Sequence, residues 1–247
     1  RILADCAESS LPVAVDLVDF NSLTNPEFID HIKRVGLLFY KAKSGNSDTK
    51  TGKLTFTDTR EKGFETHLTQ HLCLVNAFEE RHFSNYNRVD CVDEDLLFNF
   101  LQATQEKEVL KLQTIHGINF RSKVLYRLNN QIKTFGIIEV FRKGITDNNI
   151  KLKLFFDKPV SNLNEKDLAL YNQNIFSVTR QVHYSTQNEN SLDLVVFING
   201  LPIITFELKN ELTKQTVKDA IKQYKTNRDP REELFRLGRC MVHFAVD

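Results

Sequence analysis

The stretch SLDLVVFINGLPIITFELKN, residues 191–210, reads as two apolar β-strands joined at Asn199-Gly200, and it carries charges where an apolar strand should have none. Asp193 lies inside the first strand, Glu207 and Lys209 inside the second. A carboxylate among Val, Leu, Ile and Phe is costly unless it is paired or bound to a metal. Side chains alternate between the two faces of a strand, so register decides whether these charges meet. A two-residue Asn199-Gly200 loop pairs Ile198 with Leu201 and, continued, Asp193 with Phe206. Asp193 and Glu207 then face opposite ways. A three-residue loop, Ile198-Asn199-Gly200, puts Gly200 in the left-handed position of a bulge and pairs Asp193 with Thr205. Asp193, Glu207 and Lys209 then share one face. A joint role for the charges therefore predicts a bulged three- or five-residue turn. The alternative is an amphipathic hairpin whose charges sit on a wet face and form a surface pair of little value. Val195, Phe197, Ile203 and Thr205 on the same face do not suit solvent.

Two carboxylates on one face offer hard oxygen ligands, which suit Mg²⁺. A cation held so activates a water and stabilises charge on a phosphodiester. Lys209 lies two residues beyond Glu207, where its ammonium can orient or deprotonate that water or balance transition-state charge. The next segment, TVKDAIKQYKTNRDP, reads as a helix stopped by Pro230. Val217, Ala220, Ile221 and Tyr224 line one side of it, and Lys214, Lys218, Lys222 and Lys225 form a stripe beside them. Arg228 and Arg231 extend the basic character. A row of cations next to a metal site suits a phosphate backbone; an ordinary solvated helix face is the other reading. Arg180 and Gln181, in TRQVHY, are candidates for contact with DNA or for a structural ion pair.

Elsewhere the periods change along the chain. Residues 1–24 are weakly strand-like, 25–45 suggest a short helix and a strand, and the polar stretch 44–59 reads as a loop. Phe64, Leu68, Leu72 and Val75 mark a helix beginning near Thr59. DEDLLFNFLQATQEKEVLKLQ and FRSKVLYRLNNQIKTFG are helical, and GIIEVFRKGITDNNIKLKLFFDKP alternates with period two around a turn at 144–149. Three further strands follow, two in the Asn-Gly hairpin and one in NIFSVTRQVHYS, then the basic helix, then RCMVHFAVD as a last strand. The pattern predicts a mixed α/β core, one sheet with helices on its faces. His67 and His71 have the spacing of a zinc pair but no third ligand nearby, so a surface or core pair is the simpler reading.

The 247 residues carry a net charge of +1, which gives no argument for nucleic acid beyond the local stripe. No apolar run reaches the roughly 20 residues that cross a bilayer. Four widely spaced cysteines form no zinc pattern and fit free thiols in a reducing cytoplasm. The first residue is Arg1 and the last stretch is strand-like, so a fragment of a longer protein is expected, with any targeting peptide out of view.

NIFSVTRQVHYS, SLDLVVFINGLPIITFELKN, TVKDAIKQYKTNRDPREELF and RCMVHFAVD, in that order, strongly resemble the N-terminal region of the restriction (R) subunit of Type I restriction-modification enzymes. FLQATQEKE and EVFRKG are similar too, so the resemblance covers roughly residues 60–247. It implies a PD-(D/E)xK nuclease fold over 56–247, with 1–55 an N-terminal extension of unknown role. It implies Mg²⁺, replaceable by Mn²⁺, held by Asp193, Glu207 and the backbone carbonyl of Leu208. Lys209 is then the catalytic lysine and Glu65 the supporting glutamate of the first helix, with Glu61 in reserve. The family's Q-x-x-x-Y motif is met by Gln223 but not by the residue four further on, Asn227; the tyrosine here is the adjacent Tyr224. Gln223, Tyr224, Lys218, Lys222 and Arg180 are the residues implied to face DNA. The implied activity is cleavage of double-stranded DNA in an assembly with methyltransferase (M) and specificity (S) subunits, after ATP-driven translocation. No G-x-x-x-x-G-K-[ST] loop occurs in this chain, so ATP is expected to bind the full subunit only, in a motor following this region. The competing reading is a non-catalytic docking module that couples motor to methyltransferase, with the carboxylates as relics.

Overall fold

A computed structural model describes residues 61–159, 164–209 and 217–246. The expectations for 1–59, including the boundary at 55/56, and those for Cys6 and Lys214 lie outside these residues, as does the side chain of Glu61. The chain enters through helix α1, Glu61–Asn76, and reaches a short strand β1, Glu79–Arg81. A small ladder of β2 (Tyr86–Asn87) and β3 (Val92–Asp93) leads into four helices, α2 (Glu94–Thr104), α3 (Glu106–His116), α4 (Phe120–Phe135) and α5 (Ile137–Lys143). The hairpin β4 (Ile145–Asp147) and β5 (Ile150–Leu152) and helix α6 (Glu165–Tyr171) precede three long strands, β6 (Phe176–His183), β7 (Ser191–Ile198) and β8 (Leu201–Leu208). Helix α7, Val217–Lys222, runs into a π-helical turn, Gln223–Asn227, and β9, Val242–Val246, closes the order.

Local chemistry accounts for the helices. Asp93 caps α2 by accepting from Leu96 N–H at 3.2 Å, and Glu94 and Asp95 place negative charge in its first turn. Val124, Leu125, Leu128 and Ile132 bury one stripe of α4. The expected strand at 137–143 is instead helix α5. Ile137, Val140 and Phe141 are its buried residues, which is the i, i+3, i+4 pattern of a helix and not alternation. Gly136 and Gly144 flank it at positive φ, and a Cβ at Gly144 would sit 2.3 Å from the Leu152 carbonyl oxygen. A hairpin does form, but its first strand lies inside the expected 144–149 turn, and the chain reverses at Asn148 and Asn149.

Among the described residues the main sheet is mixed and five-stranded, in the order β1-β6-β7-β8-β9. Its outer pairs, β1–β6 and β8–β9, are parallel, and the central pairs are antiparallel. One face, with Val178, Leu194, Val196, Phe206 and Leu208, shares a core with α1 to α5. The other face, with Val182, Leu192, Val195 and Phe197, packs on Tyr86, Cys91, Leu234 and Cys240, with Tyr224 and Phe235 at its margin. The expected mixed sheet flanked by helices is therefore present. Cys73, Cys91 and Cys240 are free thiols, and no described helix is long and apolar enough to cross a membrane.

Candidate active site

The hairpin turns at Asn199 and Gly200, with φ of 50° and 81°, and closes with Ile198 opposite Leu201. This is a two-residue turn of the type that needs left-handed conformations at both positions, not the expected three-residue loop. The turn is tucked under α2: Asp93 N–H donates to Gly200 O at 2.8 Å. A Cβ at Gly200 would lie 2.3 Å from Asp93 O and 2.8 Å from Leu97 N, so only glycine fits.

Parity is restored inside the strands. Phe197 pairs with Pro202 but Val196 with Ile204, which makes Ile203 an extra residue on β8. Beyond this bulge Val195 pairs with Thr205 and Leu194 with Phe206. Continued by one residue, the register sets Asp193 opposite Glu207. A bulge in mid-strand thus supplies the odd offset that the sequence assigns to the turn. The pairing stops at Leu194–Phe206, one step short of the carboxylates. There the Asp193 side chain replaces a ladder bond, its Oδ2 accepting from Leu208 N–H at 2.7 Å.

Glu207 is 1% exposed and is met by Arg228, which is 8% exposed. Arg228 Nε donates to Glu207 Oε1 at 2.8 Å, and Nη2 donates to the same oxygen. Nη1 donates to Tyr184 Oη at 2.9 Å and Nη2 to Ser191 O at 2.8 Å. The basic-stripe assignment of Arg228 is therefore corrected. It is a buried counter-ion, delivered by the π-helical turn, whose wider winding closes with Arg228 N–H on Gln223 O at 3.2 Å. Nothing in the local sequence marks this pair, because the partner is 21 residues away. Arg231 is exposed but paired with Asp229 at 2.6 Å, so the stripe is shorter than expected. Lys218, Lys222 and Lys225 are exposed.

Burial pushes the Glu207 carboxyl up from 4.5 to about 7, and the Asp193 charge pushes the same way. Arg228 and Lys209 act against that rise. Asp193, Arg228 and Lys209 thus all act on the Glu207 carboxyl at the end of the β7–β8 ladder. Lys209 is 9% exposed, and its own N–H is held by Val246 O at 2.7 Å, on the parallel neighbour β9.

Glu65, on α1, is 4% exposed, and both of its carboxylate oxygens are hydrogen-bonded. Its Oε1 accepts from Arg180 Nε at 2.5 Å and its Oε2 from Gln181 Nε2 at 2.7 Å. Gln181 Nε2 also donates to Asp193 Oδ1 at 3.4 Å, which links Glu65 to Asp193. Arg180 further donates to Thr66 Oγ1 at 3.0 Å, so it ties β6 to α1. Tyr224 points inward: its Oη is 2.8 Å from Thr205 Oγ1, which is itself 2.7 Å from Nδ1 of His243. Burial raises the Tyr224 phenol and lowers His243 to about 4, so that imidazole is neutral. Gln223 is half-buried at the start of the π-helical turn. Among the described residues no three His, Cys, Asp or Glu side chains converge as a ready metal cage, the His67/His71 pair included.

Residues 81–247 match the family model described as Type I restriction enzyme R protein N terminus. Two relatives come from Methanocaldococcus jannaschii. The "Putative type I restriction enzyme MjaIXP endonuclease subunit" is 31% identical over 145 residues, 56% of this chain and 13% of that protein. The "Putative type I restriction enzyme MjaVIIIP endonuclease subunit" is 28% identical over 176 residues, 70% of this chain and 15% of that protein. No solved structure matches the chain. This chain spans only a small part of the length of those relatives, but its own match covers more than half of it: it belongs to the family of the N-terminal region of type I restriction enzyme R proteins.

Proposed function

We propose that this chain is the Mg²⁺-dependent endonuclease module of a type I R subunit, and that it cleaves double-stranded DNA delivered by an ATP-driven motor lying beyond it in the subunit. The observation that carries the reading is the meeting of Asp193 and Glu207 where the β7–β8 ladder stops, with Lys209 acting on the same carboxyl. Carboxylates on opposite faces would favour the docking-module alternative; the bulged register, continued one step past Leu194–Phe206, favours a shared face.

The residues present fit a divalent cation. Asp193 and Glu207 are both oxygen donors, and the Asp193 charge makes that of Glu207 harder to hold, a cost that a cation between them removes. The Leu208 carbonyl is the natural third donor. With only two carboxylates, the remaining positions fall to water and phosphate oxygens, which is how Mg²⁺ is usually held. When bound, the ion would supply an activated water and charge for the phosphodiester. Lys209 orients that water or balances the phosphate charge. Glu65 supports the site through Gln181, whose amide nitrogen donates to both Glu65 and Asp193. Lys218 and Lys222, with Gln223, supply the approach for the DNA backbone, whereas Arg180 and Tyr224 hold the site together. Assembly with M and S subunits belongs to the same proposal.

The test is the assembled enzyme carrying Asp193→Ala in its R subunit. Loss of DNA cleavage with ATP hydrolysis intact is the expected result. Cleavage at the wild-type rate would refute a catalytic role for this region.

A further inference from the structure

Gln181 has a left-handed backbone, φ 50°, in the middle of strand β6. Such a conformation is unusual for a residue other than Gly, Asn or Asp, and persists only where the surroundings enforce it. Here it changes which way the strand faces. Val178 belongs to the core under α1 to α5, yet Val182, four residues on, belongs to the opposite core. Across from it, Leu194 and Leu192 are divided between the cores in the same way. The β6–β7 register runs through Arg180–Leu194 and Val182–Leu192 but leaves out Gln181 and Asp193.

The break lets two consecutive residues reach one carboxylate. In a regular strand Arg180 and Gln181 point to opposite faces, but both donate to Glu65, one to each oxygen. The Gln181 amide nitrogen also donates to Asp193 Oδ1 at 3.4 Å, while its Oε1 accepts from Ser191 Oγ at 3.1 Å. One amide nitrogen therefore serves two carboxylates. An amide does this without cancelling either charge, where a lysine or arginine would neutralise them and a glutamate would repel them.

Resting on the endonuclease reading, we propose that Gln181 is a positioning residue for the metal: its strained backbone aims a neutral amide that ties Asp193 to Glu65 and fixes the Asp193 carboxylate for a cation. Asn and Gly both tolerate a left-handed backbone, but neither side chain reaches both carboxylates.

The experiment is calorimetric titration of Mn²⁺ into the 247-residue chain, with thermal melts, for wild type, Gln181→Asn, Gln181→Gly and Glu207→Ala. Both Gln181 variants should melt within a few degrees of wild type yet bind Mn²⁺ about 10-fold more weakly or worse, as for other groups that orient a metal ligand. Unchanged affinity in both variants, beside a wild-type site that Glu207→Ala abolishes, overturns the role of Gln181 and leaves the endonuclease reading standing. Melting temperature and affinity falling together in both variants makes Gln181 structural and also overturns it. A wild-type chain with no Glu207-dependent binding overturns this role and the metal site together.

Discussion

Removing Arg228 should damage this protein more than removing any surface charge, and by an amount that depends on pH. Arg228→Ala deletes a guanidinium with two bonds to Glu207, one to Tyr184 and one to Ser191. Glu207 and Tyr184 are 1% and 2% exposed, so water does not replace the lost partner. Breaking a buried ion pair by removing one member costs about 3–5 kcal/mol, or a melting temperature lower by about 6–20 °C for a domain of this size. Glu207 can escape part of that cost by taking a proton. Its folded value, about 7, already lies above its ordinary 4.5. The stability contributed by that proton is complete below 4.5 and is lost as pH rises through about 7. Over that interval it amounts to about 3 kcal/mol in wild type. Without Arg228 the folded value moves higher still, so the variant keeps its proton further up the pH scale. Urea unfolding at pH 5.5 and 8.5 should then show a larger loss for Arg228→Ala at the higher pH. The double variant with Glu207→Gln should recover much of it, because a neutral amide needs no counter-ion. A loss below about 1 kcal/mol at both pH values, or additive effects in the double-mutant cycle, would refute a buried, coupled pair.

Gly200→Ala should cost about 2–5 kcal/mol by urea unfolding, since its Cβ would meet Asp93 O at 2.3 Å at a φ of 81°. Tyr224→Phe should lose about 1 kcal/mol through the Thr205 bond, and Mn²⁺ titration should show an unchanged affinity. Lys218→Ala with Lys222→Ala should lower the slope of log K against log salt for duplex DNA by about 2, measured by fluorescence anisotropy across a salt series.

The hairpin shows what the sequence could and could not reveal. Glu207 is buried and Asp193 half-buried in apolar strands, and a joint role for the two was readable as an odd offset between β7 and β8. Where the offset arises was not readable. Asn199-Gly200 is a strong two-residue turn signal, and nothing in LPIIT marks Ile203 as the extra residue. Helix α5 was misleading because Ile137, Ile138 and Val140 favour strands, whereas its burial pattern depends on the neighbouring helices. Lys209, singled out by spacing, acts on the Glu207 carboxyl, and Glu65, implied by the resemblance alone, reaches Asp193 through Gln181. Arg228 and Gln181 were legible only as candidates for DNA contact, not in the places they take: the first is defined by a partner 21 residues away, the second by a backbone angle.

The most direct test of the metal site is a calorimetric Mn²⁺ titration of the chain beside Asp193→Ala and Glu207→Ala, run at pH 8 so that Glu207 is ionised. Saturable binding in wild type, lost in both variants, is the expected result and places both carboxylates in one site. Wild-type binding that survives either substitution contradicts the shared site.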